Sequence, residues 1–186
     1  MFIAATFDKQ RRGLELHFFF LGAGFLLLET KSITTISLFF GATWVVSMEV
    51  ILGVLIMVLL ANLVAARLKS FHRWFYLPLM ASVAFLYFFP NSLVLGWSPY
   101  ARFFYSVLLI PLPIFFAGLI FSLSLKASPD PSFAFGSNLL GAMVGGFVEY
   151  LGMIAGTKAL LLVVLMLYLA SLLAKSRSRR GRELTV

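Results

Sequence analysis

The chain has 186 residues, 61% of them hydrophobic and only 12% charged, with a mean hydropathy of +1.00 and a net charge of +8. A soluble domain carries roughly 25% charged residues, so this composition excludes an ordinary soluble globular fold. The absence of cysteine removes disulfides and thiolate metal sites. What remains is an all-α polytopic transmembrane bundle of about six helices, folded as a single domain over residues 1–186. The opening MFIAATFDKQRR places its charges after a short apolar piece, the reverse order of a secretory signal.

A spanning helix needs about 20 mostly apolar residues. The first candidate covers residues 14–41 and is broken by GATW (Gly41 to Trp44), and the second covers 44–66. The third, residues 75–89, is short, with Pro78 near its start and FPNS closing it. The fourth, 100–125, contains Pro111 and Pro113, which predict a kink or an unwound turn. The fifth covers 133–154 and the sixth 157–174, followed by a basic tail over 175–186.

Basic residues collect in cytoplasmic loops, which gives an independent test of this division. With six spans and both termini cytoplasmic, Lys9, Arg11, Arg12, Arg67, Lys69, Arg73, Lys126, Lys175, Arg177, Arg179, Arg180 and Arg182 share one side. Only Lys31, Arg102 and Lys158 of the fifteen fall elsewhere. The pattern predicts a multi-pass protein of the cytoplasmic (inner) membrane. The tail KSRSRRGRE then reads as a segment touching anionic lipid, and the net charge calls for no nucleic-acid partner.

Glu29, Glu49 and Glu149 lie inside predicted spans, in the same outer half as Lys31, Arg102 and Lys158. A charged group at mid-bilayer costs roughly 2.5–3.5 kcal/mol on insertion scales, so such groups face the bundle or a wet cavity. These six residues are the candidates for a polar site. Glu29 and Lys31 sit about 200° apart around their helix and cannot pair with each other. The expectation is that Glu29 shares a pocket with Glu149, and that Lys31 partners Glu49. Each charge on the first helix has a glycine seven residues earlier on its own face, Gly22 under Glu29 and Gly24 under Lys31. The fifth span carries a GxxxG at Gly141 and Gly145. These four glycines predict close helix packing, with the first helix central. Asn62 and Asn138 are read as buried amides. LGAGFLLLE and LGAMVGGFVE form a faint internal repeat. Leu161 in the last span is read as lipid-facing, and His17 and His72 as rings resting at the inner membrane boundary.

The stretches FFFLGAGFLLLETKSITTISLFFGATW, PLPIFFAGLIFS and NLLGAMVGGFVEYLG resemble the C-terminal part of the membrane region of bacterial spermidine-synthase-like integral membrane proteins. These combine a major-facilitator-like membrane part with a spermidine-synthase-like domain. The resemblance runs from about His17 to Ala174 and implies the membrane fold of that family. The aminopropyltransferase or methyltransferase Rossmann domain has no counterpart here, since the chain lacks a Gly-rich strand-to-helix loop. The sequence also lacks HExxH, a Ser/His/Asp grouping and a dense carboxylate set, so no catalytic residue, metal or cofactor is assigned. The expected function is a non-enzymatic membrane module, a transporter-like half or accessory subunit with a polar site in its outer half. The alternatives are a purely structural subunit of a larger membrane complex and, further off, an intramembrane enzyme related to polyamine or methyl transfer. Besides the lipid bilayer, the expected partner is a second copy or another membrane chain.

Overall fold

A computed structural model describes residues 14–68 and 70–183, with side chains up to residue 176. Asp8, Lys9, Arg11, Arg12 and Lys69 lie outside the described residues, as do the side chains of Arg177, Arg179, Arg180, Arg182 and Glu183.

The described residues form helices and no strand. Helix α1 (Leu16–Phe40) is followed by α2 (Trp44–Arg67), and a single 3-10 turn at Arg73–Phe75 leads into α3 (Tyr76–Phe88). The short α4 (Asn91–Leu95) and α5 (Pro99–Phe104) precede α6 (Leu112–Lys126). Then come α7 (Pro131–Val148), the short α8 (Leu151–Ala155) and α9 (Ala159–Glu183). Five stretches are long and apolar enough to cross a membrane: α1, α2, Pro99–Lys126, Pro131–Ala155, and α9 up to Ser176. Helix α3 is the exception. Its 13 residues extend about 20 Å at 1.5 Å each, short of a hydrocarbon core of about 30 Å. Phe89 before Pro90 is extended (ψ 123°), as a residue preceding proline favours, and this ends the helix. The third pass is therefore a broken one, packed inside the bundle with Leu79 and Val83 fully buried. At the C-terminus the helix continues through Lys175 to Glu183, so the basic segment extends α9 rather than trailing from it.

Local chemistry sets the turns. Gly41 ends α1 at φ +86°, where a side chain would be strained, and the Thr43 hydroxyl accepts from Val46 N (3.4 Å) to cap α2. Asp130 caps α7 through Phe133 N at 3.1 Å. In the fourth pass Pro111 has no N–H to give Val107, and the helix before it widens to a π turn at Tyr105–Leu109, with Ile110 N on Tyr105 O at 3.1 Å. The Val107 carbonyl, left without that donor, faces Gly53 of α2, where a Cβ would stand 3.2 Å from the oxygen.

The chain alternates direction, so the starts of α1, α3, α7 and the ends of α2, α6 and α9 share one end of the bundle. That end, which gathers Arg67, Arg73, Lys126 and Lys175, is the basic end below. Helix α1 is one of the two most enclosed spans: 56% of its apolar window is buried, as in Pro99–Lys126, against 11% for Pro131–Ala155. It runs parallel to α7 in backbone contact. A Cβ on Gly22 would strike the Asn138 carbonyl, one on Gly141 the Phe19 carbonyl, and one on Gly145 would approach Ala23 O to 2.6 Å. On its other side Gly24 lies under the Tyr168 ring of α9, 2.9 Å from a Cβ position. The same sequence offset separates Gly22 from Gly141 and Phe19 from Asn138, so exchanging the two halves of the LGA repeat maps the contact onto itself. The outward faces of α2 (Leu52, Leu55, Leu59) and α7 (Leu139, Met143, Phe147) are apolar and exposed, as helices surrounded by lipid require.

Candidate functional site

Polar side chains gather at both ends of the bundle. At the basic end, His17 of α1 is 8% exposed and meets groups from three other helices. Its Nδ1 lies 3.1 Å from the Ser171 carbonyl, which only accepts, so that nitrogen carries the proton. Nε2 is then the acceptor, with the Ser124 hydroxyl at 3.1 Å and the Lys175 ammonium at 3.4 Å. Lys175 also donates to Ser124 Oγ and rests 3.7 Å from the centre of the Phe71 ring. The Ser171 hydroxyl donates to the His17 carbonyl (3.0 Å) and lies 2.9 Å from the Tyr76 hydroxyl. Each acceptor meets a donor in a closed network that ties α1, α3, α6 and α9. The sequence reading placed His17 at a membrane boundary and missed this knot. Its one linear trace is Ser171 and Lys175, four apart on the same face of α9.

The opposite end is different. Lys31 is 7% exposed, and its ammonium donates to the Thr157 hydroxyl (3.3 Å) in the turn before α9. With Ser32, Thr35, Asn91 and Lys158 it lines a cavity of about 20 Å³. The Ser32 and Thr35 hydroxyls give their protons to the carbonyls of Leu28 (2.7 Å) and Lys31 (2.9 Å). Beyond Thr157 a second cavity, of about 390 Å³, opens between α1, the α7–α8 junction and α9. Its polar lining is Thr34, Glu149, Tyr150 and Thr157. Glu149 and Tyr150 occupy the irregular turn between α7 and α8, where Gly152 N reaches the Glu149 carbonyl at 2.8 Å. This break in the helix carries the carboxylate to the cavity.

The six charges named from the sequence thus divide. Glu149 lines the larger cavity, while Lys31 and Lys158 share the smaller one. Arg102 donates to the backbone carbonyls of Phe39 (3.2 Å), Leu95 (2.6 Å) and Trp97 (3.3 Å), which makes it a clamp on the last turn of α1. Glu49 lies on α2, its Oε1 buried with no hydrogen-bond partner among the described residues. Lys31 and Glu49 are not brought together: among the described residues Lys31 has only the Thr157 hydroxyl. Glu29 is half-buried and does not line the Glu149 cavity. Two further readings are corrected. Leu161 is 2% exposed and walls the lysine cavity; its neighbour Leu162, at 43%, is the outward residue. Asn62 is exposed and accepts from the Ser122 hydroxyl at 2.5 Å, whereas Asn138 is half-buried and donates to the Phe18 carbonyl at 3.1 Å.

Fold and site together define a multi-pass helical membrane protein with buried polar groups at both ends. Compared with family models, curated proteins and solved structures, the chain matches none.

Proposed function

We propose that the chain is a non-enzymatic module of the cytoplasmic membrane, a transporter-like half or accessory subunit that holds a small polar solute near Glu149. The cavity beside Glu149 carries this reading. Its volume of about 390 Å³ falls within the range of roughly 300–1,000 Å³ typical of small-molecule sites. One carboxylate and three hydroxyl-bearing side chains in an otherwise apolar wall favour a solute with a cationic or hydrogen-bond-donating group. The basic end faces the cytoplasm in this reading, and the cavity opens toward the other side. The expected partner in the membrane is a second copy of the chain or another membrane chain.

The test is uptake of putrescine, ethanolamine and choline into vesicles containing the purified protein. Glu149→Gln should abolish transport of the accepted solute while leaving thermal stability unchanged; equal uptake by both proteins overturns the assignment of Glu149. Reporter fusions after Ser70, Ser128 and Arg182 should report cytoplasm and one at Asn91 the outside, and an external signal at Ser128 breaks the orientation. The exposed apolar face of α7 supports a second reading, a structural subunit whose α7 packs on another membrane chain. Co-purification of such a chain, together with absence of uptake, would favour it.

A further inference from the structure

We propose that the cavity between Lys31 and Lys158 binds a single monatomic anion of chloride size. Lys31 is nine-tenths buried in a membrane helix, and among the described residues no carboxylate forms an ion pair with it or with Lys158. An ammonium taken out of water demands an opposite charge or a set of strong acceptors. Lys31 has three N–H donors and one hydroxyl acceptor, Thr157, at 3.3 Å. The acids of the same half are set apart: Glu29 lies about 200° around α1 from Lys31 and does not line this cavity, Glu149 lines the neighbouring one, and Glu49 lies on α2 with Oε1 partnerless among the described residues.

Size selects the ligand. A cavity of about 20 Å³ exceeds the roughly 10–15 Å³ that one water requires, and it is too small for phosphate, sulfate or an organic acid. The wall offers donors on three elements: Lys31 on α1, the Asn91 amide at the start of α4, and Lys158 just before α9. Lys158 is itself largely exposed, so its ammonium stands at the rim, where it draws an anion inward. The remainder is the Ser32 and Thr35 hydroxyls, whose protons go to backbone carbonyls, and the apolar side chains of Leu28, Leu86, Ile110 and Leu161, which lower the local dielectric and strengthen the charge pairing. The pocket is distinct from the Glu149 cavity, with Thr157 standing between the two. Failure of solute uptake therefore leaves it untouched.

Equilibrium dialysis of the purified protein against radiolabelled chloride, with gluconate holding ionic strength constant, tests the proposal. The expected result is one chloride per chain, displaced by bromide. Lys31→Met should weaken binding at least about tenfold, the effect of losing a charge-assisted hydrogen bond. Lys126→Met removes the same charge from the basic end and should bind as the wild type does. Because the wild-type measurement needs no variant to fold, absence of saturable chloride binding overturns the proposal outright. Undiminished binding in folded Lys31→Met does so as well.

Discussion

At the basic end, five polar side chains from four helices hydrogen-bond to one another around His17; at the opposite end, Lys31 has a single hydroxyl partner and Glu49 Oε1 none among the described residues. Both regions bury polar groups in an apolar bundle, and each has a lysine near its centre. The difference is saturation. A network in which every donor meets an acceptor fixes the relative positions of its helices and has nothing left to offer a ligand. Polar groups held in place but incompletely paired retain capacity for something else, which is the physical signature of a site.

The sharpest way to break this contrast is through the seam that supports both ends. Gly145→Leu drives a branched side chain into the Ala23 backbone and should cost about 3 kcal/mol or more, or prevent assembly. Leu162→Phe on the outward face should stay within about 0.5 kcal/mol. Equal unfolding midpoints of the two proteins in a detergent titration would remove the close α1–α7 contact, and with it the placement of Glu149. Next in size is His17→Ala, which takes the Nε2 acceptor from Ser124 and Lys175 and the Nδ1 donor from the Ser171 carbonyl, and should cost about 2–3 kcal/mol in the same titration. A loss below about 1 kcal/mol would mean that the knot is not structural.

A smaller effect separates the two ends by coupling rather than by stability. The double-mutant cycle of Tyr76→Phe with Ser171→Ala should show an interaction of about 1 kcal/mol, since their hydroxyls lie 2.9 Å apart. Glu149→Gln with Thr34→Val, both on the cavity wall, should couple by less than about 0.3 kcal/mol. Similar coupling in the two cycles would erase the distinction. The smallest change belongs to Lys31→Met measured without chloride, which should be neutral or stabilising by about 1 kcal/mol, because an uncompensated buried charge is replaced by an apolar side chain. Destabilisation as large as that of His17→Ala would make Lys31 a structural residue like those of the knot.

Much of this architecture was legible in the chain itself. Apolar length determined the membrane class, proline and glycine determined the breaks at Gly41, Pro90 and Pro111, and the glycines of α1 and α7 announced the close seams. These features follow from covalent geometry and from the cost of leaving a backbone group unpaired, and both act locally. Which charge meets which partner was not legible. Lys31 and Glu49 suited each other in depth and sign, yet depth says nothing about rotation around the helix axis. A helix apolar on nearly every face gives no strong amphipathic phase to fix that rotation, which is why the sequence suggests an outward Leu161 where the structure buries it. The rotation is set by packing against neighbours: α7 on one side of α1, α9 on the other, and the broken third pass between α6 and α9. Only that tertiary arrangement closes the hydrogen bonds around His17, and only it leaves Lys31 and Glu149 facing cavities.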